Sequence, residues 1–124
     1  MIRNRLALVA GIAAVGLTLV GGSALAATGS HVVLPSKITV KAQEFLFTTS
    51  ADTVKAGKVT FVVTNKGNTV HNFVFPTMGN KGSRFLQSGQ TQTFSLVLKA
   101  GRYPYICSIP RHAEQGMQGV LVVK

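Results

Sequence analysis

With 124 residues and a single cysteine, the chain has room for one domain and no means of forming an internal disulfide. Thirteen Lys and Arg against three acids give a formal charge of +10, a balance that taken alone would suggest nucleic acid. The basic side chains are instead scattered singly, with no basic helix and no aromatic-interleaved patch, which argues against that partner.

The first stretch does not read as domain material. Arg3 and Arg5 open the chain, Leu6 to Val20 is uncharged and rich in Leu, Val, Ala and Gly, and Ala24-Leu25-Ala26 offers a small-x-small cleavage pattern. That order predicts a cleavable signal peptide over residues 1–26 and a protein exported to the periplasm or the outer face of the cell membrane. Asn4 separates the two arginines, so a twin-arginine signal is not supported. The uncharged run Leu6 to Ala27 is also long enough to anchor the protein if it stays uncut. Nothing later in the sequence could cross a bilayer as a helix, so the mature protein is not expected to span the membrane. Cutting 26 of 124 residues leaves 98, and takes two of the thirteen basic residues, so the mature charge is +8. An acidic protein partner or an anionic envelope surface suits that charge.

Residues 27–35 read as a loose lead, and 36–124 as one all-β domain. Lys37 to Lys41 alternates, with Ile38 and Val40 on one face. The apolar parity then switches to Phe45 and Phe47, which predicts a β-bulge near Ala42 to Glu44. Lys58 to Asn65 is a strand with Val59, Phe61 and Val63 inward, followed by the turn Asn65-Lys66-Gly67-Asn68. Thr69 to Phe75 puts His71, Phe73 and Phe75 on one face, and the glycine-bearing stretch Pro76 to Gly89 reads as a long loop. Gln90 to Leu98, Arg102 to Cys107 and Gly119 to Lys124 complete the strands. About seven to eight short strands with these turn spacings predict a Greek-key antiparallel β-sandwich of modest core.

One segment carries chemistry. In Cys107-Ser108-Ile109-Pro110-Arg111-His112-Ala113-Glu114-Gln115-Gly116-Met117, four residues separate Cys from His and four separate His from Met. One loop thus presents three donors at one end of the sandwich, and His71 is the evident fourth. A thiolate, two imidazoles and a weak thioether form the donor set of a type 1 copper site cycling between Cu(II) and Cu(I). Zinc prefers four strong ligands, and a lone cysteine cannot build a dinuclear thiolate-bridged centre. His31 lies in the lead and is not expected to ligate; Met78, in a loop without partner histidines, reads as packing.

The pattern resembles the cupredoxins, the small blue-copper proteins that include plastocyanins, auracyanins and azurins. The resemblance runs from about Ile38 to Lys124. It rests on Gly101-Arg102-Tyr103-Pro104-Tyr105-Ile106-Cys107, on Gly116-Met117-Gln118-Gly119 and on His71-Asn72-Phe73. It implies that Asn72 ties the His71 segment to Ser108, the kind of contact that holds metal ligands in place. One position departs from the pattern, because many relatives have Gly immediately before the loop histidine and this chain has Arg111. The implied function is a monomeric, non-enzymatic carrier passing single electrons between extracytoplasmic redox partners, such as a cytochrome, an oxidase or a reductase. The alternative is a copper chaperone or scavenger, which three methionines and three histidines in the whole chain do little to support.

Overall fold

The computed structural model describes residue 16, residues 21–24, residue 26 and residues 28–124. Most of the expected signal segment therefore lies outside the described residues. Among the described residues no helix is long and apolar enough to cross a membrane. The chain divides into two units, Met1–His31 and Val32–Lys124. The described residues of the first are exposed and without regular secondary structure; among the described residues every strand lies in the second.

Val32–Lys124 is the expected β-sandwich. One sheet is formed by β1 (Lys37–Gln43), β2 (Leu46–Thr49), β4 (Gly57–Asn65) and β7 (Thr91–Leu98), in the order β2-β1-β4-β7. The other is formed by β3 (Thr53–Val54), β5 (Val74–Phe75), β6 (Lys81–Gly82), β8 (Gly101–Ile106) and β9 (Gln118–Val123), in the order β3-β9-β8-β5-β6. Both sheets are mixed, since β1 runs parallel to β4 and β3 parallel to β9. A hairpin can only give antiparallel neighbours. Here the chain leaves the first sheet after β2, runs as β3 along the edge of the second, and returns as β4 to the free side of β1.

Alternation along the strands is what selects the core. β1 buries Ile38, Val40 and Ala42, and β4 buries Val59, Phe61, Val63 and Asn65, with less buried or exposed residues between them. Phe61 lies at the centre, stacked on Phe94 at 5.1 Å and edge-on to Phe75 at 5.5 Å. Phe47 of β2 meets Phe73 edge-on at 5.2 Å and Tyr105 of β8 edge-on at 5.8 Å, so aromatic rings bridge the two sheets. A second, smaller apolar cluster joins Ala42, Cys107 and Met117, flanked by Phe45, Phe47 and Ile109. It fills one end of the sandwich.

Two local expectations need correcting. The parity switch after Val40 is a chain reversal and not a bulge: Ala42 stays inward, the chain turns at Glu44-Phe45, and β2 returns antiparallel with Phe47 opposite Ala42. Opposed residues in an antiparallel pair share a face, so the new parity is the old one seen from the returning strand. The stretch Pro76 to Gly89 is also more than a loop. After a 3₁₀ turn at Pro76–Met78 it runs back along the His71 segment, with Lys81 opposite Phe75, Ser83 bonded to Phe73 through both backbone and side chain, and Leu86 bridged to His71. Residues of both parities from His71 to Phe75 are consequently buried. Met78 packs against the main core, as expected of it.

Phe61→Ala should lower the unfolding free energy by about 3–5 kcal/mol through the cavity it leaves. Val97→Ala, on the exposed face of β7, should change it by less than about 0.5 kcal/mol. Urea unfolding of the two variants measures both, and equal losses would show that Phe61 is not the centre of the core.

Candidate metal centre

The backbone places the donors before their side chains are considered. His71 is clamped to Leu86 in both directions, its N–H donating to the Leu86 carbonyl at 3.1 Å and its carbonyl accepting from the Leu86 N–H at 2.7 Å. Cys107 follows the last residue of β8, and its N–H donates to the Met117 carbonyl at 3.0 Å. The Met117 N–H in turn donates to the His112 carbonyl at 3.0 Å, and the His112 N–H to the Ile109 carbonyl at 3.1 Å. The loop from Cys107 to Met117 is thus closed on itself by main-chain bonds, each donated by a candidate ligand.

Within that frame His71, Cys107 and His112 converge. His71 Nδ1 lies 3.2 Å from His112 Nδ1 and 4.0 Å from Cys107 Sγ, and His112 Nδ1 lies 3.6 Å from the same sulfur. A triangle with these sides has a circumradius of about 2.1 Å, so one point lies at bonding distance from all three atoms. For comparison, bonds from zinc to imidazole run about 2.0–2.1 Å and to thiolate about 2.3 Å. Two imidazole nitrogens and a sulfur facing one another this closely are a donor set suited to a cation. Met117, fully buried, packs beside Cys107 in the small apolar cluster. His71 and Cys107 are buried, whereas His112 is half-exposed, its ring meeting Phe45 edge-on at 5.1 Å. His31 is exposed and belongs to the other unit.

Protonation follows from the partners. His71 Nε2 lies 3.0 Å from Glu44 Oε1. An ionised carboxylate can only accept, so Nε2 carries a proton, and in the neutral ring that leaves the Nδ1 lone pair facing the cluster. The same Glu44 oxygen accepts from the Asn68 N–H at 2.8 Å, the Thr69 N–H at 2.7 Å and the Thr69 hydroxyl at 2.8 Å. The Thr69 N–H and hydroxyl, with a smaller part from His71, hold the Glu44 carboxyl down at about 2. Because the folded-state value is the lower one, this contact stabilises the fold above the ordinary carboxylate range. The contribution is lost as pH falls through about 2. Burial first, and His71 second, push the His112 imidazole below its ordinary value, with Glu44 opposing, so the ring is neutral and free to donate a lone pair at neutral pH.

The loops are tied by side chains as well. Asn72 Nδ2 donates to Ser108 Oγ at 2.7 Å, and Asn72 Oδ1 accepts from the Ser108 N–H at 2.8 Å, so one amide bonds the residue after His71 to the residue after Cys107. Asn65, fully buried, donates to the carbonyls of Thr69 and Leu86 and accepts from the Gly67 N–H, fixing the turn ahead of His71. Arg111 adopts the left-handed backbone, with φ at 71°, that a glycine adopts without penalty. Holding that conformation with a side chain present carries a local cost of about 1–2 kcal/mol. Gly116, at φ 128°, could not carry a side chain, because a Cβ would sit 2.6 Å from the Phe45 carbonyl oxygen.

Reading the sequence alone missed Glu44 and Asn65. Glu44 is one of three acids in the chain and lies 27 positions before the histidine it touches, with no local pattern to single it out. The one available signal was its place beside the parity switch, where a chain reversal aims a side chain across the end of the sheet.

Comparison with known proteins places these features in a context. A family model described as a cupredoxin-like domain matches residues 11–123. No curated protein matches. Among solved structures, the dithionite-reduced auracyanin of the photosynthetic bacterium Roseiflexus castenholzii superposes with a TM-score of 0.63 at 18% identity, covering 73% of this chain and 98% of that one. Auracyanin B superposes with a TM-score of 0.57 at 17% identity, covering 71% and 88%. At such identities the likeness is one of fold.

Asn72→Ala removes both bonds of the tie and should cost about 1–3 kcal/mol of unfolding free energy; a wild-type denaturation midpoint would mean the two loops hold without it. Arg111→Gly should be neutral or stabilising by up to about 1 kcal/mol, since it relieves the left-handed strain. A clear loss of stability on that substitution would show that the arginine side chain outweighs its backbone.

Proposed function

The chain belongs to the cupredoxin-like domain family, and from that premise we propose that it is a type 1 blue-copper protein that carries single electrons between extracytoplasmic redox partners. The observation that carries the reading is the convergence of His71 Nδ1, Cys107 Sγ and His112 Nδ1 on one point at bonding distance. His71, Cys107 and His112 would hold the ion, with Met117 as the weakest of four donors. Copper so bound supplies a one-electron couple between Cu(II) and Cu(I).

The residues around it do the rest. Main-chain closure of the Cys107–Met117 loop and the Asn72–Ser108 tie hold the donors in one arrangement, so little has to move when the charge changes. The small apolar cluster keeps water from the thiolate. Four donors from the protein leave no position for a substrate, which supports a carrier over an enzyme. His112 is the most exposed of the four and is the proposed electron port. Arg111 beside it, with the surplus of Lys and Arg, favours a partner with an acidic surface. The signal-like segment at residues 1–26 supports export, and a monomer suffices for the role.

Copper-loaded protein should show an intense visible band from thiolate-to-Cu(II) charge transfer, and Cys107→Ser should abolish it. Copper bound without that band would sink the type 1 assignment. Met117→Gln should lower the reduction potential and Met117→Leu should raise it, both with copper retained, because the thioether tunes the ion more than it secures it. Loss of copper from both variants would show that Met117 secures the ion instead of tuning it. Reversible electron exchange with an acidic cytochrome, measured against copper donation to an apo-protein, separates the carrier from a copper chaperone.

A further inference from the structure

We infer that Glu44 is a positioning residue for the proposed copper centre: it fixes the His71 imidazole with Nδ1 toward the metal and places a negative charge that favours Cu(II) over Cu(I). The inference rests on the copper reading above and adds to it a residue from outside the ligand loop.

The geometry gives Glu44 two roles that can be separated. As a structural staple, its Oε1 collects the Asn68 N–H, the Thr69 N–H and the Thr69 hydroxyl, joining the β1–β2 turn to the turn ahead of His71. The fit is close, since a Cβ on Gly67 would lie 2.5 Å from the carboxylate Oε2. As a partner of His71, the same Oε1 takes the Nε2 proton at 3.0 Å. The His71 ring is fully buried, and among the described residues Nε2 has no other acceptor. A carboxylate on the far nitrogen of a ligating imidazole fixes the tautomer and raises the basicity of the nitrogen that binds metal. A more basic donor, and the added negative charge, both stabilise the more highly charged ion, so the potential is lower than a neutral acceptor would give.

All four donors land on one oxygen, which makes the test clean. Glu44→Gln can keep its carbonyl oxygen at the Oε1 position and accept all four bonds while losing the charge. Glu44→Ala loses both. With copper bound, Glu44→Gln should lower the ratio of Cu(II) to Cu(I) affinity about tenfold, a rise in potential of about 59 mV for a one-electron couple, while the apo-protein melts near wild type. Glu44→Ala should raise the potential too, melt earlier, and lose about 10–100-fold in Cu(II) affinity. A potential for Glu44→Gln equal to or below wild type would reduce Glu44 to a staple and overturn the inference. Nitrogen-15 spectra of the apo-protein add a readout that needs no metal: one Nε2–H tautomer of His71 in wild type and Glu44→Gln, a mixture in Glu44→Ala. A single unchanged tautomer in Glu44→Ala also overturns the inference. If wild-type protein forms no blue centre, the copper reading falls on that result, and the tautomer measurement still decides whether Glu44 positions His71.

Discussion

The constraint on which the rest of this structure depends is the need to hold two imidazole nitrogens and a sulfur within 4.0 Å of one another with their electron pairs converging. Unbonded donors of one polarity do not gather by mutual attraction. Something else must bring them together, and the ion they suit then gains a site formed in advance. Preorganisation of this kind moves the cost of assembly into folding, where hydrophobic burial offsets it.

The sandwich meets that need with two separate devices. Its main core, centred on Phe61 and the rings around it, sets the distance and stagger of the sheets and so where β8 delivers Cys107 and where the His71 segment lies. The end of the sandwich is then finished by polar ties: Asn72 to Ser108, Asn65 to the backbone beside His71, and Glu44 to the turn and to His71 itself. Hydrogen bonds are directional where apolar packing is not. Each tie fixes an angle that packing alone would leave loose. Among the described residues no buried side-chain polar atom lacks a partner, so these ties are complete.

Arg111 shows the same division of labour. Its backbone holds a left-handed conformation that the residue does not favour, because the bonds between Met117 and His112 and between Gln115 and Arg111 close the loop around it. The geometry of the Cys107–Met117 loop prevails over the preference of one residue, and Arg111, next to His112, is left exposed.

What the sequence by itself determined is what local spacing can carry. Alternation selected the inward residues of β1 and β4, and Cys107, His112 and Met117 declared themselves because they lie in one short loop. His71 could be singled out by its residue type on an apolar strand. Only the tertiary structure decided how segments distant in the chain meet. The bridge from His71 to Leu86 joins residues 15 positions apart, the parallel pairing of β1 with β4 residues 23 apart, and the Glu44–His71 contact residues 27 apart. The reason is physical. A periodic pattern reports which face of a strand is buried, whereas the choice of neighbour depends on which backbone donors and acceptors remain unpaired once the whole chain has collapsed.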